Sequence, residues 1–385
     1  MYKVYNNQEE FATNITDFLL KCIPDIRKTQ LKIIPYILLG LILAESIVAS
    51  DIAKKLKGDF TLVQHDSVVK RLRRFFANKL FKPYVFYDAI IKYIIKKFKS
   101  SHPDKIVQVV FDHMFSHDNY TVFMITMRIG KQGIPLWFRC FKGKSDESAF
   151  QEDLLKQGIK YVSDLFGNDF NLVFLADRWF NSTSLLEYIA NLGHTFCVRA
   201  KKNIKIKLFD KKENKYVWKT LGDLPSYKNR AVYYKDAIIT DKEFKVNIAI
   251  SMNKGVAEPW IILTNGEANR AIRNYSYRFG AIECVFKSQK SNGFYLESCN
   301  NASLEVFTSM YAIACFGILF LTIQGIEYSK NNSCYKNVTI KTHTKRNGIK
   351  QRIISLFNTG LILFNIAYES QRYIRISYNF ILYDV

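Results

Sequence analysis

Two aspartates end apolar runs in the same way. Asp112 closes VQVVF (Val107–Phe111) and Asp177 closes LVFLA (Leu172–Ala176). A charge at the end of a buried strand is costly unless something neutralises it. A divalent cation can do so, and carboxylate oxygens suit Mg2+ or Mn2+. Glu283, within Tyr275–Glu297, supplies a third carboxylate. Three such acids can hold two ions about 4 Å apart, the arrangement that stabilises the attacking and leaving oxygens in phosphoryl transfer. A single strand-end aspartate more often serves a turn or a cap, so the three together are more informative than any one. Lys290 follows Glu283 by seven residues, close to two helical turns, and the two share a helix face. That pair reads either as a plain salt bridge or as a metal ligand beside a phosphate ligand.

Other reactive residues carry less. His113 and His117 are spaced i, i+4, but they fall where a strand passes into a turn, which disfavours a zinc site. On a strand, His113 faces away from Asp112. Asp118 could stand in for Asp112, yet it sits in the expected turn. Trp179 reads as core filler, with stacking on an extruded base as the alternative. The seven cysteines form no close zinc-like pair and read as reduced thiols of a cytosolic protein.

The elements that must position the acids follow from periodicity. Helical spacing marks Phe11–Leu20, Gln30–Ser46 and Lys82–Lys99. Between them lie a helix over Asp51–Lys57, with Ser50 as cap and Gly58 as stop, and one over Ser67–Ala77 capped by Asp66. The latter buries Val69, Leu72, Phe75 and Phe76 and presents Lys70, Arg71, Arg73 and Arg74. It resembles the second helix of a helix-turn-helix, or else it is a solvated basic helix. Strands follow at Lys105–Asp112, Tyr120–Arg128 and Pro135–Phe141, joined by short turns as an antiparallel meander. Next come a helix over Glu147–Phe166, a strand over Asn171–Asp177, a helix near Ser182–Asn191 and a strand over His194–Arg199. That α/β order fits a ribonuclease H-like core. Residues 200–265 are β-rich, with eight lysines between Lys201 and Lys219. They form a basic β-rich insertion before the Glu283 helix, or an ordinary extension of the sheet. A polar, basic loop (Asn331–Arg352), a helix near Ser355–Ala367 and a strand over Tyr373–Leu382 end the chain.

We expect five regions: residues 1–100, helical and basic, for DNA binding; 101–199 and 266–330, the two parts of the core; 200–265, the insertion; and 331–385, the C-terminal region. The formal charge of +22 favours a polyanionic partner. The excess is clustered: residues 51–100 carry thirteen basic and four acidic side chains. No signal-peptide pattern opens the sequence, so we expect a cytoplasmic, nucleoid-associated protein. Val306–Ile326 is 21 residues without a charge, long enough to span a bilayer. Its polar residues and the lack of an aromatic belt favour a buried helix, so no membrane partner is expected.

With Asp112, Asp177 within LADRWF, and the Y-x2-R…E-x6-K run of Tyr275, Arg278, Glu283 and Lys290, the sequence resembles the DDE transposases of bacterial insertion sequences. The particular likeness is to insertion sequence family four, in which an Asp-Arg-Gly-Phe-like segment holds the second aspartate; Trp179 replaces the glycine here. The likeness extends over nearly the whole chain. It implies a ribonuclease H-like fold, two Mg2+ or Mn2+ ions on Asp112, Asp177 and Glu283, and an endonuclease that cuts and joins double-stranded DNA at transposon ends and target. Activated water would cut the phosphodiester, and the freed 3′-OH would then be the nucleophile. Arg278 and Lys290 would contact end phosphates, with Tyr275 packing or bonding beside them. Synapsis of two ends would call for a homodimer. A nuclease without strand transfer and a DNA-binding protein with a lapsed centre are the alternatives.

One spacing departs from the family. Four residues, not three, separate Arg278 from Glu283, which turns Arg278 about 140° from Glu283 on a regular helix. Either a one-residue π-bulge near Gly280 or a helix beginning only after Gly280 restores the register, or Arg278 has another role.

Overall fold

A period-2 pattern with β-branched residues takes over from helical spacing near residue 106, and the chain changes from helices to sheet there. The computed structural model describes residues 3–4, 8–56, 64–101, 106–116, 120–143, 148–210, 213–239, 243–252, 257–290, 293–298, 302–330, 340, 342–344, 350–352, 354–369, 375–376 and 380–382. Strand β1 (Lys3–Val4) precedes six helices: α1 (Gln8–Cys22), α2 (Lys28–Leu31), α3 (Ile34–Ala44), α4 (Ala49–Lys55), α5 (His65–Phe76) and α6 (Pro83–Ser101). Then come β2 (Ile106–Ser116), β3 (Tyr120–Ile129), β4 (Gln132–Lys142), α7 (Ser148–Phe166), β5 (Asn171–Ala176), α8 (Thr183–Asn191) and β6 (Thr195–Arg199). The insertion supplies β7 (Lys205–Asp210), β8 (Lys215–Thr220), β9 (Val232–Ile239), β10 (Phe244–Ser251) and β11 (Trp260–Thr264). Helices α9 (Ala268–Ser276), α10 (Arg278–Lys290) and α11 (Leu304–Lys330) follow, then β12 (Thr342–Thr344), β13 (Lys350–Arg352), α12 (Leu356–Glu369) and β14 (Arg375–Ile376).

Ten strands make one sheet in the order β4-β3-β2-β5-β6-β11-β10-β9-β7-β8. The β2-β3-β4 meander is antiparallel, whereas β2, β5 and β6 run parallel. This is a ribonuclease H-like core within an α/β fold. The strands of residues 200–265 extend the same sheet, because β11 returns to pair with β6. Ile125 and Trp137 face α7 beside Gly158. Asp112 is paired with Met124, one residue out of step with Ile125, so it points to the opposite face, where α10 lies on β2, β3 and β4.

Helix α11 is the apolar 306–326 stretch. By length and composition it could cross a membrane, but nearly all of it is buried inside the fold. It packs on β4 and on α3, α5, α6 and α12. Phe316 reaches Phe18 of α1 and Phe86 of α6, and Phe320 reaches Phe11. The N-terminal helices and the sheet thus share one core.

Several boundaries differ from the sequence expectation. Gln30–Ser46 is two helices, and the second stops where Glu45 enters the left-handed region (φ 50°). Ser50 lies inside α4 and does not cap it; the Ser46 hydroxyl accepts from the Val48 N–H instead. Asp66 sits in the first turn of α5, whose N-cap is Gln64. Gly58 lies outside the described residues. Among the described residues at the end of the chain, Arg375–Ile376 forms a strand paired with β1, and residues 380–382 are irregular.

His194 is buried between β5 and α7. It accepts from the Leu172 N–H at Nδ1 (3.4 Å), and its Nε2 lies 2.8 Å from the Ser163 hydroxyl. Burial lowers its pKa from the ordinary histidine value. Below the unfolded pKa of about 6.5 the unfolded chain takes up a proton that the folded chain resists, so this contribution to stability is full above that pH and is lost as pH falls. The thermal midpoint of wild type should therefore fall more steeply between pH 7 and pH 5 than that of His194→Gln.

Helices α11 and α12 cross at Gly360, where an added Cβ would lie 1.8 Å from the Leu321 carbonyl oxygen. The obstacle is backbone and cannot rotate away. Gly360→Ala should cost at least the roughly 1–3 kcal/mol of ordinary overpacking, read as a lower urea midpoint with an unchanged slope.

Candidate active site

Parallel pairing of β2 with β5 brings the ends of both strands to one edge of the sheet. Val110 pairs with Leu175, so Asp112 and Asp177, each two residues further on, extend from that edge on the same face. The Asp112 carboxylate accepts from the His113 N–H (2.9 Å). Asp177 caps a 3-10 turn over Arg178–Phe180, accepting from the Arg178 N–H (2.6 Å). The cap role and a place in the acid cluster thus coexist. Glu283 projects from α10 toward the same edge.

One guanidinium joins the three acids. Arg278 bonds Asp112 through Nη2 and Glu283 through Nη1 (3.2 Å), and its Nη2 lies 3.9 Å from Asp177. Arg278 is only 7% exposed, and its Nε has no hydrogen-bond partner. Burial pushes the Asp112 carboxyl up, an effect the Arg278 charge opposes. Glu283 is raised by desolvation and by repulsion from the two aspartates, against the pull of Arg278. Burial disfavours the arginine charge, but the surrounding carboxylates outweigh it and raise the Arg278 pKa.

Arg278 therefore faces the acids, without a π-bulge and without a helix that starts after Gly280. The chain breaks at Tyr277, between α9 and α10, and Arg278 is the first residue of α10. From that position its long side chain runs across to Asp112 on β2. It is held internally by carboxylates and is not presented as a phosphate contact.

The other residues of the signature make contacts of their own. Tyr275 is 1% exposed and packs edge-on against Trp260 and Phe279. Desolvation, reinforced by Asp177, pushes its phenol up to about 12. It packs beneath the site. Lys290 pairs with Glu297 (3.2 Å), not with Glu283. Lys70, Arg71, Arg73 and Arg74 are exposed on α5, which packs on α4 and α11, so they form no part of the acid cluster. Trp179 is not core filler: it is 49% exposed and rests on His113 (4.7 Å) and Phe180 (5.1 Å). Burial lowers the pKa of His113, against the attraction of Asp112 and Asp177. His117 and Asp118 lie outside the described residues.

Sequence reasoning missed a second charged group beside Asp177. Arg178, Arg199 and Lys202 converge on Glu258, at 3.3, 3.7 and 3.6 Å. One signal was available. Arg199 ends β6, which runs parallel to β5, so it arrives at the same edge as Asp177.

Three carboxylates are a donor set that suits Mg2+ or Mn2+, and all three reach a single guanidinium, so their oxygens converge on one volume. Arg278 fills that volume; among the described residues no three His, Cys, Asp or Glu side chains form a ready-made cation site. The three carboxylates suit divalent cations in chemistry and number, and Arg278 occupies the space between them.

Residues 124–319 match the family described as "Transposase DDE domain". Asp177, Arg278, Glu283 and Lys290 lie inside the match, and Asp112 lies before it. No curated protein sequence matches the chain. Among solved structures, the chain is similar to the piggyBac transposase in its synaptic complex with hairpin DNA, with 12% identity and a TM-score of 0.44 over 94% of this chain and 78% of that one. It is also similar to the Marinitoga piezophila Argonaute in complex with guide RNA and target DNA, with 16% identity and a TM-score of 0.23 over 52% of this chain and 30% of that one.

Removing the central cation leaves the buried Asp112 charge uncompensated. Arg278→Met should therefore lose about 3–5 kcal/mol of stability in chelator-treated buffer, measured by urea unfolding. Adding Asp112→Asn should return a substantial part of that loss.

Proposed function

Because the chain belongs to the transposase DDE domain family, we propose that it cuts and joins DNA as a cut-and-paste transposase of an insertion sequence, of the family-four kind. The observation that carries this reading is the convergence of Asp112, Asp177 and Glu283 on one guanidinium. Separate strands and a helix deliver these acids to one edge of a ribonuclease H-like sheet. A structural salt bridge needs one carboxylate for an arginine, and this site supplies three.

Two Mg2+ or Mn2+ ions held by the three acids would supply an activated water and stabilise the leaving oxygen of a phosphodiester. The chain's own residues do the rest. Asp112, the most buried of the three, fixes the inner side of the site through its bond from the His113 N–H. Asp177, set by its cap, fixes the adjoining edge. Glu283 is half exposed at the mouth and is the acid best placed to move. Lys290, freed from Glu297, would hold an end phosphate. Lys70, Arg71, Arg73 and Arg74 on α5 would meet the duplex further out, within the DNA-binding region 1–100. Regions 101–199 and 266–330 form the catalytic core, 200–265 is the insertion and 331–385 the C-terminal region. The partners are transposon ends and target DNA, with a homodimer holding two ends, in the bacterial cytoplasm.

The test is incubation of purified protein with a duplex bearing its own terminal inverted repeats and Mg2+. Excision followed by joining is expected. Asp177→Asn should lower cleavage by roughly a thousandfold or more while leaving duplex binding intact. Cleavage without joining would indicate a nuclease, and continued cutting by Asp177→Asn would remove the acid from the site.

A further inference from the structure

Arg178, Arg199 and Lys202 come from three segments: the 3-10 turn after β5, the end of β6 and the link to β7. They surround one carboxylate. Their distances to Glu258, 3.3 to 3.7 Å, are longer than the roughly 2.7–2.9 Å of a tight charge-assisted hydrogen bond. Three cations facing one acid leave two positive charges unmatched at this spot.

The positions are fixed by the fold. Arg199 is largely buried along its side chain and paired to Ile262 across the sheet. Lys202 is held through its carbonyl, which accepts from the Gly222 N–H (2.8 Å). Arg178 adjoins Asp177, so the cluster begins one residue from an acid of the active site. Glu258 is half exposed, as are the Arg178 and Lys202 side chains, and it precedes β11 in an irregular segment. Arg199 is the buried anchor of the group.

We propose that Arg178, Arg199 and Lys202 form a phosphodiester subsite for the DNA strand beside the catalytic acids, with Glu258 as its built-in competitor. This inference rests on the transposase reading. A phosphodiester carries one negative charge on two free oxygens, as a carboxylate does, and Glu258 occupies its place in the free protein. When DNA arrives, the carboxylate withdraws and the three cations meet phosphate. Stray polyanions must first displace Glu258, so the subsite favours duplexes already held elsewhere on the protein.

Fluorescence anisotropy with a labelled duplex of about 30 base pairs, without metal and across a salt series, tests this directly. Glu258→Gln should tighten binding about five- to tenfold and steepen the log K against log salt slope by about 0.9, the signature of one more neutralised phosphate. Arg178→Ala and Lys202→Ala should each weaken binding and reduce the slope by about one. Glu213→Gln removes an equally exposed acid that pairs with Lys215 on the far hairpin, and it controls for the general effect of one less negative charge. If Glu258→Gln matches Glu213→Gln in affinity and slope, the subsite is refuted, and Mg2+-dependent cutting of the ends would then leave the transposase reading standing. Wild-type protein that neither binds nor cuts duplex DNA overturns both.

Discussion

Three carboxylates cannot occupy one end of a buried sheet edge without a cation among them. Here the cation is the guanidinium of Arg278, and much of the surrounding structure exists to place it. The break at Tyr277 starts a new helix at the arginine. Tyr275, Trp260 and Phe279 pack into an aromatic floor beneath it. The parallel pairing of β2 and β5 sets Asp112 and Asp177 at matching depth. An arginine in this place holds the three acids together. A planar fork with several donors can serve three acceptors at once, which a lysine in that position could not.

The sequence displayed the acids and the order of the core strands because both depend on local pattern. A strand that ends in aspartate, twice, is visible without knowing its neighbours. The failures fall where local pattern does not decide. Spacing sets the Arg278 Cβ about 140° from Glu283 on α10, yet the arginine side chain is long enough at the helix start to reach all three acids. Trp179 is large and apolar, which suggested burial, yet the 3-10 turn that begins at Asp177 lifts it onto the surface against His113. Ser50 and Asp66 are good caps by type but lie just inside their helices, whose N-cap residues Val48 and Gln64 carry no side-chain cap. The Glu258 cluster joins residues up to 80 positions apart, and only the return of β11 to β6 brings them together.

The strands of residues 200–265 lengthen the sheet beyond β6, on the side away from β2. The outer hairpin of β7 and β8 carries Phe209, Tyr216 and Trp218 largely exposed, with Lys207 over the Trp218 ring. Aromatic side chains interleaved with lysines continue the basic character of the Arg178–Lys202 region along the extended sheet.

Helix α11 has a consequence for the order in which the molecule can be made. The N-terminal helices bury Phe11, Phe18, Leu41 and Phe86 against or around a helix that begins at Leu304. A ribosome adding about 5–20 residues per second takes on the order of tens of seconds to travel from the end of α6 to the end of α11. Through that interval the first hundred residues expose the apolar faces that α11 will later cover. A truncated product ending before Leu304 would hold the basic helices without the core that makes them a defined surface.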